Sequence, residues 1–195
     1  MKVAIVKYNA GNTHSVELAL QRLGVDSILT DDAETLRSAD KVIFPGVGEA
    51  SSAMQYLKEH GLDKVITTLK QPTLGICLGM QLMCAHSEEG NADTLGIFNN
   101  HVKMFPKGID KVPHMGWNSL TLLKSALYQG IEENAYAYFV HSFYVEISNT
   151  TTAQCNYANT LFSASLEKDN FYGVQFHPEK SSAIGEQLLK NFLAL

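Results

Sequence analysis

Apolar residues open the chain as an unbroken run, Val3-Ala4-Ile5-Val6, and then settle into helical spacing. Val16, Ala19, Leu20 and Leu23 fall at i, i+3, i+4 and i+7, one face of a helix closed by Gly24. The alternation then repeats. A strand over Val25 to Leu29, a short polar helix near Ala33 to Ser38 and a strand over Lys41 to Phe44 lead to a helix carrying Ala50, Ala53, Met54 and Leu57. A further helical segment, Leu62 to Leu69, precedes a strand that enters at Pro72 and turns helical from Leu78 onward. Apolar, β-branched strands alternating with helices predict a parallel sheet covered on both faces. After about Asn91 the pattern changes to short strand-like runs broken by Gly, Pro and Asn: Ala137 to Val140, Phe143 to Ile147, Leu161 to Leu166 and Phe171 to Phe176. These runs predict antiparallel strands extending the same sheet. Ser181 stands at an N-cap position, with Ile184, Leu188, Phe192 and Leu195 on one helical face. The predicted fold is α/β: a single domain over 1–195, with a central mostly parallel sheet, helices on both faces and an antiparallel extension in the C-terminal half.

Composition narrows the classes. A length of 195 residues suits one core and is short for two, and 45% hydrophobic with 18% charged residues is ordinary globular composition. A net charge of -5 with scattered Lys and Arg argues against nucleic acid and anionic membranes as partners. No apolar stretch approaches membrane-spanning length and the first run is too short for a signal-peptide core, which predicts a cytoplasmic protein. Cys77, Cys84 and Cys155 form no Cys-x-x-Cys pair, so free thiols are expected, with no metal and no cofactor. Cys84, seven residues past Cys77, is expected in the core.

In open parallel sheets, sites form beyond the carboxyl ends of the strands. Three loops meet that rule: Tyr8 to Asn12, Pro45 to Gly48, and the turn at Cys77. The spacing Gly75-x-Cys77-x-Gly79 mirrors the nucleophile elbow Gly-x-Ser-x-Gly with sulfur for oxygen. Its glycines remove side chains that would crowd a strained turn, and a helix N-terminus favours a thiolate. The Leu78 amide is then expected to point where an oxyanion would form. A buried structural cysteine is the other reading of this stretch. Cysteine catalysis also needs an oriented base. Of seven histidines, His177 has a carboxylate placed to orient it: in Gln175-Phe176-His177-Pro178-Glu179, residues i and i+2 of extended chain share a face, and Pro178 keeps His177 out of a helix.

Together, Gly75-Ile76-Cys77-Leu78-Gly79-Met80-Gln81, Pro45-Gly46-Val47-Gly48 and Gln175-Phe176-His177-Pro178-Glu179 resemble the motifs of class I glutamine amidotransferases. The resemblance implies a catalytic triad of Cys77, His177 and Glu179. Cys77 would attack the side-chain amide of glutamine, His177 would handle the protons, Glu179 would hold the imidazole, and water would hydrolyse the thioester. It further implies substrate binding at Gln81, His141, Ser142 and Phe143, and an oxyanion hole at Val47, Gly48 and Leu78. Within the class, Pro113-His114-Met115-Gly116-Trp117-Asn118, Tyr138-Phe139-Val140-His141-Ser142 and Glu179-Lys180-Ser181-Ser182 resemble the glutaminase subunits of imidazole glycerol phosphate synthase, from histidine biosynthesis. That resemblance implies a heterodimer with a cyclase subunit, met by His114, Met115, Trp117, Asn118, Tyr138 and Lys180, where released ammonia passes. Two positions depart from the family: Lys7, where many members carry Asp, and Phe143, where Tyr is common. A glutaminase for another synthase, a stand-alone γ-glutamyl hydrolase, and an inactive binding protein on the same scaffold are the competing readings.

Overall fold

The computed structural model describes residues 1–9 and 12–195, so Ala10 and Gly11 of the Tyr8 to Asn12 loop lie outside the described residues. The first half alternates as the hydrophobic spacing predicts: β1 (Val3–Val6), α1 (Thr13–Arg22), β2 (Ser27–Thr30), α2 (Ala33–Ser38), β3 (Lys41–Phe44), α3 (Ala50–Glu59), α4 (Leu62–Thr67), β4 (Thr73–Ile76) and α5 (Leu78–Leu82). Short strands follow: β5 (His86–Ser87), β6 (Ala92–Asp93), β7 (His101–Met104), β8 (His114–Ser119), β9 (Tyr136–His141) and β10 (Phe143–Val145). Longer strands β11 (Thr151–Tyr157), β12 (Thr160–Lys168) and β13 (Phe171–Val174) lead to α6 (Ser182–Ala194).

The main sheet has the order β11-β12-β13-β4-β3-β1-β2. Its five strands from β13 to β2 pair in parallel, and β12 and β11 extend it antiparallel. Successive side chains of a strand face opposite layers. Ala4, Val6, Val42 and Phe44 therefore pack with Leu36, Ala53, Leu57 and Ile66 of α2, α3 and α4. Val3, Ile5, Ile43, Leu74 and Ile76 pack on the other side with Val16 and Leu20 of α1 and Leu188 and Phe192 of α6. Helices cover both faces, as expected. The late return of β13 to the middle of the sheet is what matters for the site, because it sets the end of β13 beside the end of β4.

The second half departs from expectation in detail. Of the four predicted runs, only Leu161 to Leu166 and Phe171 to Phe176 supply strands of the main sheet. Ala137 to Val140 lies in β9, which pairs with β8, and Phe143 to Ile147 contains β10, which pairs with β7. The position they would have taken belongs to β11, whose mixed sequence Thr-Thr-Ala-Gln-Cys-Asn-Tyr has too weak an apolar alternation to stand out. Ser181 precedes α6 but makes no side-chain cap. Its buried hydroxyl instead donates to the His177 carbonyl at 2.6 Å and accepts from the Tyr138 N–H at 2.9 Å. Cys84 is buried as expected, past the end of α5, with its thiol against the Met80 carbonyl at 3.6 Å.

Candidate active site

Neighbouring parallel strands present their carboxyl ends side by side, so the sheet order gathers four segments from distant parts of the sequence. These are the loop after β1, the Pro45 to Gly48 loop after β3, Cys77 after β4, and Gln175 to Glu179 after β13. Cys77 has φ 52° and ψ −109°, a positive-φ conformation that a non-glycine residue adopts at a cost of order 1–3 kcal/mol. The neighbouring glycines make the turn possible. A Cβ on Gly79 would strike the Phe44 carbonyl, and one on Gly75 would come within 2.8 Å of the Met80 amide nitrogen. The Cys77 N–H donates to the Val174 carbonyl at 2.8 Å, which ties the backbone of Cys77 to β13. The helix behind it, α5, has only five residues, so its dipole gives the sulfur less support than a full helix would.

His177 and Glu179 do meet, but not through extended chain: Pro178–Lys180 forms a 3-10 turn that starts right after His177, and this turn brings Glu179 back to the imidazole. The imidazole Nδ1 lies 2.8 Å from Glu179 Oε1, and both side chains are 1% exposed. Asn12 Nδ2 donates to that same oxygen at 2.6 Å, so the loop after β1 helps to hold the carboxylate that holds the histidine. Among the described residues Nε2 of His177 has no hydrogen-bond partner, and with Nδ1 engaged it is the nitrogen available to Cys77. Burial works against charge on this ring, but the Cys77 and Glu179 side chains outweigh it and raise its pKa from 6.5 to about 10. His177 thus keeps a second proton at neutral pH. Burial pushes the Cys155 thiol up to about 12 and Cys84 higher still, which leaves both as unreactive core thiols.

Cys77 opens onto a cavity of about 280 Å³ walled by Val47, Gly48, Leu78, Gln81, Val140 and the His141-Ser142-Phe143 segment. All the residues expected at the substrate and oxyanion positions therefore surround one space. The cavity adds Glu89, which pattern reading missed: its carboxylate accepts from the Ala50 N–H at 2.9 Å, and burial raises its pKa. Gln81 does not point freely into the cavity. Its Nε2 donates to the Phe143 carbonyl at 2.9 Å and to Gln175 Oε1 at 2.8 Å.

The oxyanion side is differently arranged from expectation. Gly48 has φ 126°, a region that favours glycine. The Leu78 amide is not free for a ligand, because it donates to the Gly46 carbonyl at 3.3 Å. The Tyr8 hydroxyl donates to the Pro45 carbonyl at 2.7 Å and fixes the near end of the same loop, and burial raises the Tyr8 pKa. Tyr8 and Asn12 give the loop after β1 its role. Their only sequence signal is position after the first strand, since both partners lie far along the chain.

The residues expected at a partner interface divide in two. Met115 and Trp117 are 63% and 52% exposed, and Trp117 sits opposite Tyr138 with ring centroids 5.9 Å apart. Val140, opposite Met115, continues this face into the cavity. Lys180 is exposed. His114 and Asn118 belong to the other face of β8. His114 is buried against Tyr157 and Phe139, and Asn118 donates to His114 and to the Asn156 carbonyl. His114 therefore lies beneath the exposed face, not on it, because alternation along a strand sends neighbours to opposite sides.

Residues 4–195 match the family model "Glutamine amidotransferase class-I". The chain is 59% identical over 197 residues to "Imidazole glycerol phosphate synthase subunit HisH" of Bacteroides fragilis strain YCH46, with 100% of each chain covered. It is 47% identical to the protein of the same name from Blochmanniella floridana, again with 100% of each covered. A solved structure of PurLQS from Thermotoga maritima superposes with TM-score 0.74 at 18% identity, covering 99% of this chain and 97% of that one, a likeness of fold.

Proposed function

The chain belongs to the glutamine amidotransferase class-I family, and we propose that it is the glutaminase subunit of imidazole glycerol phosphate synthase, hydrolysing glutamine and passing the ammonia to a cyclase subunit. The observation that carries this reading is the buried line Cys77, His177, Glu179 at the edge of a cavity sized for a small amino acid.

In this reading the glutamine carboxamide lies against Cys77, with Gln81 and the backbone of His141, Ser142 and Phe143 along its side. Glu89, the acidic group on the cavity wall, suits the substrate's α-ammonium. Cys77 attacks the carboxamide carbon. The proton retained on His177 goes to the departing nitrogen, so the leaving group is ammonia and a thioester remains on the sulfur. His177, now neutral, takes a proton from water, which attacks the thioester and releases glutamate. Glu179 keeps Nδ1 protonated throughout and so keeps Nε2 for these transfers. Donors from Val47 or Gly48 and from Leu78 stabilise the tetrahedral oxyanion once the Gly46 carbonyl has turned away from the Leu78 amide.

The cyclase subunit sits on the face of Met115, Trp117 and Tyr138, with Lys180 at its margin. Exposed aromatic and thioether side chains on a paired strand surface are the composition of an interface centre. The experiment is ammonia release from glutamine by the chain alone and with the cyclase subunit. Formation of the synthase product only from the pair supports the reading. Full turnover without any partner supports a stand-alone hydrolase instead. No helix of the described residues is long and apolar enough to cross a membrane.

A further inference from the structure

Gln175 is fully buried, and its Nε2 lies 3.6 Å from the Cys77 sulfur. It stands two residues before His177, in the bend that follows β13, and its amide nitrogen reaches the Cys77 sulfur. Which way round its amide lies is decided elsewhere. The Phe143 carbonyl can only accept, so Gln81 must turn its nitrogen toward it, at 2.9 Å. The second hydrogen of that nitrogen goes to Gln175 Oε1 at 2.8 Å, which leaves the Gln175 nitrogen facing the sulfur. The same carbonyl orders a second chain. His141 donates its Nδ1 proton to it at 2.7 Å, so His141 Nε2 accepts from His114 Nδ1 at 3.0 Å, and His114 Nε2 accepts from Asn118 Nδ2 at 3.3 Å. Burial lowers the pKa of His114 to about 4 and of His141 to about 3, so both rings keep one proton and the polarity of this chain does not change near neutral pH.

We propose that Gln175 is a catalytic donor to the nucleophile, its amide N–H holding the Cys77 sulfur and favouring the thiolate, with the Phe143 carbonyl fixing its direction through Gln81. Two contacts at the sulfur favour opposite protonation states. The thiol can donate to the Val140 carbonyl, at 3.8 Å, which favours the protonated form. When the sulfur is ionised beside the doubly protonated His177, that contact turns repulsive, whereas the Gln175 contact becomes charge-assisted and stronger. The inference rests on the glutaminase reading only for its effect on turnover.

The test is the pH profile of Cys77 alkylation by iodoacetamide in the full chain, read by mass spectrometry, for wild type, Gln175→Met and Gln175→Glu. The titratable groups facing the sulfur or its cavity are His177 with Glu179 behind it, Tyr8 from the loop after β1, and Glu89 and His141 across the cavity. All are kept in both variants. Met fills a similar shape without a donor, and Glu puts an anionic acceptor in the donor's place. The alkylation rate at neutral pH should fall about tenfold in Gln175→Met and further in Gln175→Glu, with the profile moved to higher pH by about one unit or more. In ammonia release, kcat should fall while KM for glutamine stays within about twofold. Folded variants that keep the wild-type profile overturn the proposal. Should neither variant fold, the wild-type chain decides: the Gln175 side-chain amide resonances must shift as Cys77 ionises, and their failure to move overturns it. Alkylation needs no glutamine, so a shifted profile in a chain that releases no ammonia even when assembled with the cyclase subunit would sink the glutaminase reading and leave this one standing.

Discussion

His177 hangs from Tyr138: the histidine N–H donates to the Tyr138 carbonyl at 2.9 Å. Ser181 closes the same link, since its buried hydroxyl binds the Tyr138 N–H and the His177 carbonyl together. The ring of Tyr138 meanwhile lies against Trp117 on the exposed strand face. One residue thus touches the proposed partner surface with its side chain and anchors the proposed general base with its backbone.

Ser181→Ala removes both of the hydroxyl's bonds: the Tyr138 N–H loses its partner, and the His177 carbonyl keeps only the Lys180 N–H, at 3.0 Å. Stability should fall by about 1–3 kcal/mol in urea unfolding, and kcat for ammonia release should fall with it because the His177 anchor is loosened. A loss of stability with kcat unchanged would show that the link supports the fold only.

Glu179→Gln keeps the shape of the His177 partner and removes its charge. Turnover should fall, but less than on loss of Cys77. The stability effect has a defined pH window. The pKa of His177 is raised from 6.5 to about 10 in the fold, because Cys77 and Glu179 outweigh burial. Its contribution is therefore fully present below 6.5 and is lost as pH rises toward 10. The gap in Tm between wild type and variant should be widest near the lower end and close toward the upper. A gap that widens with pH would contradict the assignment.

The peptide between Gly46 and Gly48 is a second control point. With the Gly46 carbonyl on the Leu78 amide, one oxyanion donor is occupied, and a donor of this kind is worth about a hundred- to a thousand-fold in kcat. The isolated chain should hydrolyse glutamine poorly, and the complex with acceptor bound should gain at least that factor. Gly48→Pro, which lacks the amide hydrogen and cannot hold the φ of 126° found here, should not be activated. Normal activation of that variant, or full activity of the single chain, would contradict the account.

Local patterning made most of the first half of the fold legible, because β1, β3, β4, α1 and α3 each carry an apolar run or period. The second strand, expected over Val25 to Leu29, forms instead at Ser27–Thr30, with Ile28 and Leu29 exposed. The His177 and Glu179 pair was legible because the two residues are close in sequence, although a 3-10 turn over Pro178–Lys180, not extended chain, joins them. What stayed hidden depends on long-range closure. That Ala137 to Val140 pairs with β8 outside the main sheet follows from the space β11 occupies, and β11 has no strong pattern of its own. Ser181 has the chemistry of a cap, but its hydroxyl is taken by Tyr138 and His177. Tyr8, Asn12, Glu89 and Gln175 reach their partners only once the strand ends are aligned, and Leu78 loses its expected freedom to a carbonyl from the loop after β3.

The central claim is that Cys77 generates the ammonia the partner consumes. Its most direct test is Cys77→Ala assembled with the cyclase subunit and supplied in turn with glutamine and with ammonium salt. The account predicts no product from glutamine and normal product from ammonium, because the synthase chemistry lies on the other chain. Product from glutamine at the wild-type rate, or loss of the ammonium-dependent reaction in an assembled complex, would contradict it.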